Sequence, residues 1–159
     1  LINNAAIIQR KKFINLSVND WKNILNCNLI APFLLTKNAI IQKNTSTLKI
    51  INISSIAAET GGIEQVHYAA SKAGLTNLTK SITRLFSRKK IFSYSIHPGV
   101  IFTKSISLTK KNKSSKLIKQ IPIGRLGTPQ EVSELIKFLS NSSTEYMTGS
   151  ILRINGGLR

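Results

Sequence analysis

The sequence predicts an α/β protein built on a parallel sheet with helical layers on both faces, α/β/α. Three observations carry that prediction. Short, nearly continuous apolar runs alternate with long stretches of helical spacing, the order in which a parallel sheet is wound. Each run stops at small or turn-forming residues: Leu48–Ile53 at Ser54-Ser55, 91–96 ahead of Pro98-Gly99, and Ile151–Ile154 ahead of Gly156-Gly157. Two helix starts are marked by capping residues, Ser17 with Asp20 and Thr128-Pro129 with Glu131.

Taken in order, Trp21, Ile24, Leu25 and Leu29 continue from the Ser17 cap at helical spacing towards Gln42, which predicts one long helix bent at Pro32. Leu48–Ile53 reads as a strand buried on both faces, and a loop holding Gly61-Gly62 follows it. Residues 65–88 predict a second long helix and 91–96 the next strand. Thr128 caps a helix with Pro129 at its first position, ending near Leu139, and Ile151–Ile154 is the last strand. No internal repeat is visible. The one low-complexity stretch is 104–119, with six Lys and no acid.

At 159 residues the chain is read as a single domain. Lys and Arg number 23 against 6 Asp and Glu, a net charge of +17, which raises a phosphate-bearing partner. The way the charge is made points elsewhere. Lys outnumbers Arg 17 to 6, Ile outnumbers Val 24 to 4, and Asn reaches 14, so the residues in excess are those with A- and T-rich codons. The charge therefore reads as compositional drift, and with no aromatic stacking platform or recognition helix a nucleic-acid partner is disfavoured. A single Cys27 forms no internal disulfide and is expected as a small buried side chain. The longest uninterrupted apolar stretch, 29–35, has seven residues including Pro32, short of the roughly 20 that span a bilayer, so no membrane segment is expected. No signal peptide is read, and the opening Leu-Ile-Asn-Asn, without Met, reads as a chain entered in mid-fold.

The chemistry sits at the ends of the predicted strands. Tyr68 and Lys72 stand four apart on the second long helix and share a face. A phenol with a pKa of about 10 is a poor proton donor or acceptor at neutral pH, and a nearby ammonium favours its ionised form and lowers that pKa. Such a pair suits acid-base work. Ser55 closes the preceding strand at the carboxyl edge, where open α/β sheets bind ligands, and its hydroxyl is placed to hold a substrate carbonyl against the phenol.

Ser55, twelve residues, Tyr68, three residues, Lys72 resembles the catalytic constellation of the short-chain dehydrogenase/reductase family, and Tyr-Ala-Ala-Ser-Lys-Ala-Gly-Leu from Tyr68 is close to that family's form. Asn3-Asn4-Ala5-Ala6 resembles its Asn-Asn-Ala-Gly motif, Asn28 in Asn-Cys-Asn-Leu resembles its fourth catalytic residue, and Pro98-Gly99 with Ile101 and Thr103 resembles the segment that meets the nicotinamide carboxamide. The segments from Gly124 and from Thr148 resemble its C-terminal part, so the likeness covers essentially the whole chain.

The resemblance implies the C-terminal part of a Rossmann-type, doubly wound sheet and a Ser-Tyr-Lys-Asn site. Tyr68 is implied as the acid-base, Lys72 as the group that lowers the Tyr68 pKa and holds the nicotinamide ribose, Ser55 as the donor to the carbonyl, and Asn28 as the anchor of a water. Asn4 and Ala5 are implied on the adenosine-ribose side of the cofactor and Pro98, Gly99, Ile101 and Thr103 on the nicotinamide side, Tyr68 and Lys72 also counting among the cofactor-binding residues, with NADP(H) rather than NAD(H) as cofactor and no metal. The motif combination is similar to reductases of 3-oxoacyl groups on acyl carrier protein, a form shared with many sugar, polyol and steroid dehydrogenases. It implies a small-molecule or acyl-carrier-protein-linked carbonyl substrate, a homo-oligomer (a tetramer or dimer), and a cytoplasmic place, or an organelle lumen if a targeting segment precedes the chain. Two departures stand out: Ala6 replaces the usual Gly, and the Gly-rich pyrophosphate loop of the first strand-helix unit is not in the sequence, which would leave a strand with an unpaired edge. A catalytically inactive gene remnant is therefore the competing reading. Substrate choice in the family falls between Thr103 and Gly124; there Lys110, Lys111 and Lys113 form a basic stretch that suits an acidic carrier protein.

Overall fold

The structure, a computed structural model, describes residues 1–103, 118–141 and 143–158. Four parallel strands lie side by side in chain order: β1 (Ile2–Asn3), β2 (Leu48–Ile53), β3 (Ile91–Pro98) and β4 (Ile151–Ile154). Between β1 and β2 run α1 (Val18–Leu25) and α2 (Ala31–Ile41); between β2 and β3 run α3 (Ala57–Thr60) and α4 (Val66–Phe86); α5 (Pro129–Asn141) precedes β4. Most of the basic stretch at 104–119 lies outside the described residues.

The two faces of the sheet follow from the period-two alternation of β2 and β3. Ile51, Ile53, Tyr94 and Ile96 point to one side and pack with Leu139, Leu135 and Ile136 of α5. Ile50 and Ile91 point to the other and pack with Leu78, Ile82 and Phe86 of α4 and Ile40 of α2. Each such side chain, fully buried, stabilises the fold by about 1.5–3 kcal/mol. Helices α4 and α5 thus sit on opposite faces although the strands advance in one direction across the sheet. The connection through α5 therefore has the opposite hand to the connection through α4, and a parallel crossover is right-handed in nearly every case, so one of the two is the rare left-handed form.

Towards the carboxyl ends of the strands the α4 side turns polar. Asn52, Ser54, Ser95 and His97 project there and are fully or nearly fully buried. Asn52 Nδ2 donates to Thr79 Oγ1 at 2.9 Å, and Asn3 Nδ2 donates to Asn52 Oδ1 at 2.7 Å and to Thr36 Oγ1 at 3.2 Å. Burial of these groups is tolerated because they are paired, with only Asn3 Oδ1 among them lacking a partner.

Both capping boxes form. Ser17 Oγ accepts from Asp20 N while the Asp20 carboxylate accepts from Ser17 N, and Thr128 and Glu131 exchange the same pair of bonds. The long helix between β1 and β2 is broken at a different place from the one its sequence predicts. Instead of a bend at Pro32, residues Asn26–Ile30 form a turn of π-helix, with Ala31 N donating to Asn26 O. Pro32 has no N–H to offer the Asn28 carbonyl at α-helical spacing, and the ladder accommodates this one turn earlier. Ile24, Asn28, Pro32 and Thr36, four apart, form the buried stripe of the whole run. Gly74 lets α4 approach it closely, since a Cβ there would meet Leu29 Cδ2 at 2.9 Å.

Counting uninterrupted apolar residues passes over Val18–Ile41, whose 24 residues are long and apolar enough to cross a membrane by length and composition alone. In this structure the run is the crossover between two strands. Cys27 is half-buried on it, not enclosed in the core as expected. Helix α3 has no counterpart in the sequence reading: it is a single turn ending at Gly61, whose φ of +77° favours glycine. Strand β3 runs two residues past the predicted end at 96, and α5 two past Leu139.

Candidate active site

Ser55 lies just past β2, with its Oγ accepting from Ala57 N at 3.1 Å at the entry to α3. Tyr68 and Lys72 sit in the first two turns of α4, 8% and 2% exposed. Lys72 Nζ lies 5.8 Å from the centre of the Tyr68 ring and donates to the Ile53 carbonyl at 2.7 Å. Ser55 hydrogen-bonds the Tyr68 side chain. The three residues predicted as a constellation are thus gathered at the carboxyl end of β2.

Their electrostatics differ from the expectation. Burial pushes the Tyr68 phenol above its ordinary value, with the Ser55 hydrogen bond pulling the other way. The expected depression by Lys72 is absent, because the ammonium faces the Ile53 carbonyl rather than the phenol oxygen. Burial also pushes Lys72 down from 10.5 to about 8, Cys27 opposing. Between those values the unfolded chain holds a proton on Lys72 that the folded chain has released, so this group adds stability as pH rises from about 8 towards 10. Near pH 10 Tyr68 begins to act in the opposite direction, since its folded-state value is raised. The urea midpoint should therefore climb over that window relative to a Lys72→Met variant; a difference between the two that stays flat or falls with pH contradicts the assignment.

Asn28 is completely buried. Its Oδ1 accepts from Ile7 N at 2.9 Å, and its Nδ2 donates to Ile7 O at 2.9 Å and to Ser71 Oγ at 3.2 Å. The side chain ties the segment after β1 to α4 and is committed to those three bonds. Asn4 and Ala5 on that segment are exposed, as is Ala6.

Of the residues implied on the cofactor side, Asn4, Pro98, Ile101 and Thr103 meet in a cleft of about 500 Å³ at the carboxyl ends of the strands, with Ile53 on its wall and Val132 and Ile136 of α5 opposite. Ala5 is not among its lining residues. Gly99 faces β4 instead: a Cβ there would meet Asn155 Cα at 2.8 Å, so close passage of the chain past Asn155 requires the glycine. A mostly apolar cleft with Asn4 and Thr103 among its lining residues fits a flat carboxamide-bearing ring. Sequence reasoning passed over Glu59 and Arg153, whose paired side chains reach the buried His97. Nothing local marks that cluster, because its members come from α3, β3 and β4.

The geometry defines a class, the α/β proteins that take a ligand across the carboxyl ends of a parallel sheet. Within that class the chain belongs to the short-chain dehydrogenase/reductase family: a family model described as enoyl-(acyl carrier protein) reductase matches residues 1–159. It is 35% identical over 159 residues to the 3-oxoacyl-[acyl-carrier-protein] reductase FabG of Aquifex aeolicus, covering 99% of this chain and 64% of that protein. A crystal structure of a putative 2-deoxy-D-gluconate 3-dehydrogenase from Agrobacterium tumefaciens with bound NADP superposes with a TM-score of 0.91 at 31% identity, over 99% of this chain and 65% of that one. A 4-hydroxyisoleucine dehydrogenase mutant complexed with NADH and succinate superposes with a TM-score of 0.92 at 31% identity, over 99% and 66%. The chain therefore spans about two thirds of the length of the proteins it matches.

Proposed function

We propose that this chain carries the catalytic part of an NADP(H)-dependent reductase that converts a 3-oxoacyl group, held on acyl carrier protein, to the 3-hydroxyacyl group. The observation that supports it is the gathering of Ser55, Tyr68 and Lys72 at the end of β2 beside the cleft of Asn4, Pro98, Ile101 and Thr103. The nicotinamide, when bound, supplies the hydride.

The residues of the chain do the rest. The Ser55 hydroxyl donates to the carbonyl oxygen and orients it, a preorganised donor where negative charge develops. Tyr68 gives that oxygen its proton. Burial holds the Tyr68 phenol protonated at neutral pH, the state that reduction requires, while making it a weaker acid than an ordinary phenol. Lys72 supplies positive charge beneath the phenol ring and holds the nicotinamide ribose. Because the Asn28 side chain is occupied, its part in proton supply falls to its backbone carbonyl, which Pro32 leaves without an α-helical donor.

The test is loss of NADPH absorbance with acetoacetyl-acyl carrier protein, acetoacetyl-CoA and a sugar acid as parallel substrates. The reading expects the highest kcat/KM with the carrier-linked substrate. A preference for the sugar acid would move the protein towards the dehydrogenases it resembles in structure, and no turnover with any of them would leave an inactive remnant.

A second copy of the chain is the partner we assign to the face of α2 and α4. Phe33 and Leu34 of α2 are 45% and 50% exposed, beside a groove lined by Leu29, Ile30 and Leu78. An apolar surface of this kind marks an interface. Light scattering should give a dimer or tetramer for the natural chain and a smaller particle for Phe33→Glu; a natural chain that is already monomeric removes the assignment.

A further inference from the structure

Lys72 is clasped to the end of β2 at both its ends. Its Nζ donates to Ile53 O at 2.7 Å, and its own backbone carbonyl accepts from Ser54 Oγ at 2.9 Å. The same carbonyl is 3.0 Å from Thr76 Oγ1, which lies 2.9 Å from Ser54 Oγ and 2.8 Å from His97 Nε2. His97 Nδ1 is 2.7 Å from Glu59 Oε1, and Arg153 holds that carboxylate through Nε at 2.9 Å and Nη2 at 2.7 Å. A continuous line of hydrogen bonds therefore runs from surface Arg153 to the peptide that carries Lys72. His97 is wholly buried in the middle of it.

With the Ser54 proton committed to the Lys72 carbonyl at 2.9 Å, and the longer 3.4 Å contact of Thr76 with Ser95 Oγ set aside, the supply of protons along this line permits two arrangements. An ionised Glu59 only accepts, so His97 carries its proton on Nδ1. With His97 neutral, Nε2 is a bare buried acceptor, and the single Thr76 hydroxyl proton must go to it, since otherwise a buried polar atom is left without a partner. The Lys72 carbonyl then has Ser54 as its only hydroxyl donor. With His97 protonated, Nε2 donates to Thr76 Oγ1, and the Thr76 proton is free to turn to the Lys72 carbonyl. The 3.0 Å and 2.8 Å contacts of Thr76 cannot both be donated at once, which makes its hydroxyl a two-position switch.

We propose that His97 is a positioning residue for Lys72: through the Thr76 hydroxyl, its protonation state sets whether one or two hydroxyls hold the Lys72 carbonyl against the end of β2. Thr76 is the switching element and Ser54 the constant one. The charged groups that bear on His97 come from three elements, Glu59 of α3, Arg153 of β4 and Lys80 of α4. Burial pushes the imidazole below its ordinary value, while Glu59 opposes and Arg153 and Lys80 reinforce the fall. The switch is a property of this chain in itself; only its effect on turnover rests on the reading of Lys72 as part of a reductase site.

Nitrogen-detected NMR of the imidazoles tests it across the titration of His97, with His67→Gln removing the other histidine signal. The expected result has His97 in the Nδ1–H tautomer at high pH, and the Ala73 amide nitrogen, which shares its peptide group with the Lys72 carbonyl, shifting with the same midpoint as the His97 ring. Thr76→Val should flatten the Ala73 shift while His97 still titrates, and Thr76→Ser should restore it. An Nε2–H tautomer, or an Ala73 signal indifferent to His97 in the natural chain, overturns the proposal without recourse to any Thr76 variant. Turnover followed in parallel separates the two ideas: coupled shifts with no carbonyl reduction uphold the switch and defeat the reductase reading. Coupled shifts with a break in kcat at the same midpoint, KM holding steady, uphold both.

Discussion

Tyr68→Phe should abolish carbonyl reduction while leaving the fold in place, with kcat falling by about a hundred- to ten-thousand-fold, the range a positioned proton donor contributes. The change removes one oxygen and keeps the ring. Tyr68 belongs to a small buried cluster with Ala57 and Ala69, and Phe fills the same space, so the packing of α4 on α3 is retained. What the fold loses is the hydrogen bond with Ser55, worth about 1 kcal/mol. The urea midpoint should move little and NADPH affinity should hold, because nothing on the cleft wall changes. Single-turnover measurements with saturating NADPH give the clean comparison. A variant that keeps more than a tenth of the natural rate would remove Tyr68 as the proton donor and leave Ser55 to be tested in its place.

Asn28→Ala carries the second large effect, on stability first and binding afterwards. Three bonds go at once, leaving the N–H and C=O of Ile7 and the Ser71 hydroxyl without their partner. Net losses of about 1 kcal/mol per bond, more where the group stays dry, add to a cavity at a completely buried position, for a total of about 3 kcal/mol. The segment carrying Asn4 and Ala5 then loses its tie to the helical layer, so NADPH should bind more weakly even where the chain remains folded. Hydrogen exchange at the Ile7 amide reads the event directly. Equal protection of that amide in the natural chain and the Asn28→Ala variant would show that the tie does not hold the segment.

What could be read in advance divides along the range of the interaction. Strands β2 and β4 have the predicted bounds, because an apolar run between Ser or Gly residues is a local signal. The caps at Ser17 and Thr128 form for the same reason, each box closing over three residues. Tyr68 and Lys72 could be paired from spacing alone, whereas the destination of the Lys72 ammonium could not, since Ile53 is 19 residues away. Pro32 announced a break in the helix but not its position, which falls one turn earlier, around Asn28. Strand β1, at two residues, is too short to show alternation. The Glu59, His97 and Arg153 cluster joins residues separated by 38 and 94 positions, and only the Ser93, Ser95, His97 alternation along β3 hints that one face of that strand is polar.

The unlike faces of the sheet have a consequence for how the molecule responds to temperature. The contact with α5 is almost wholly hydrocarbon, Leu139 against Ile51, Ile53, Tyr94 and Ile96, whereas α4 is fastened near the strand ends by Asn52, Ser54, Thr76, Thr79 and His97. Hydrocarbon contact weakens as water is cooled, and paired amides and hydroxyls do not share that dependence. Chilling should therefore release α5 before α4, so that near the freezing point the wall of the cleft opposite Ile53 loosens while the Tyr68 helix keeps its place.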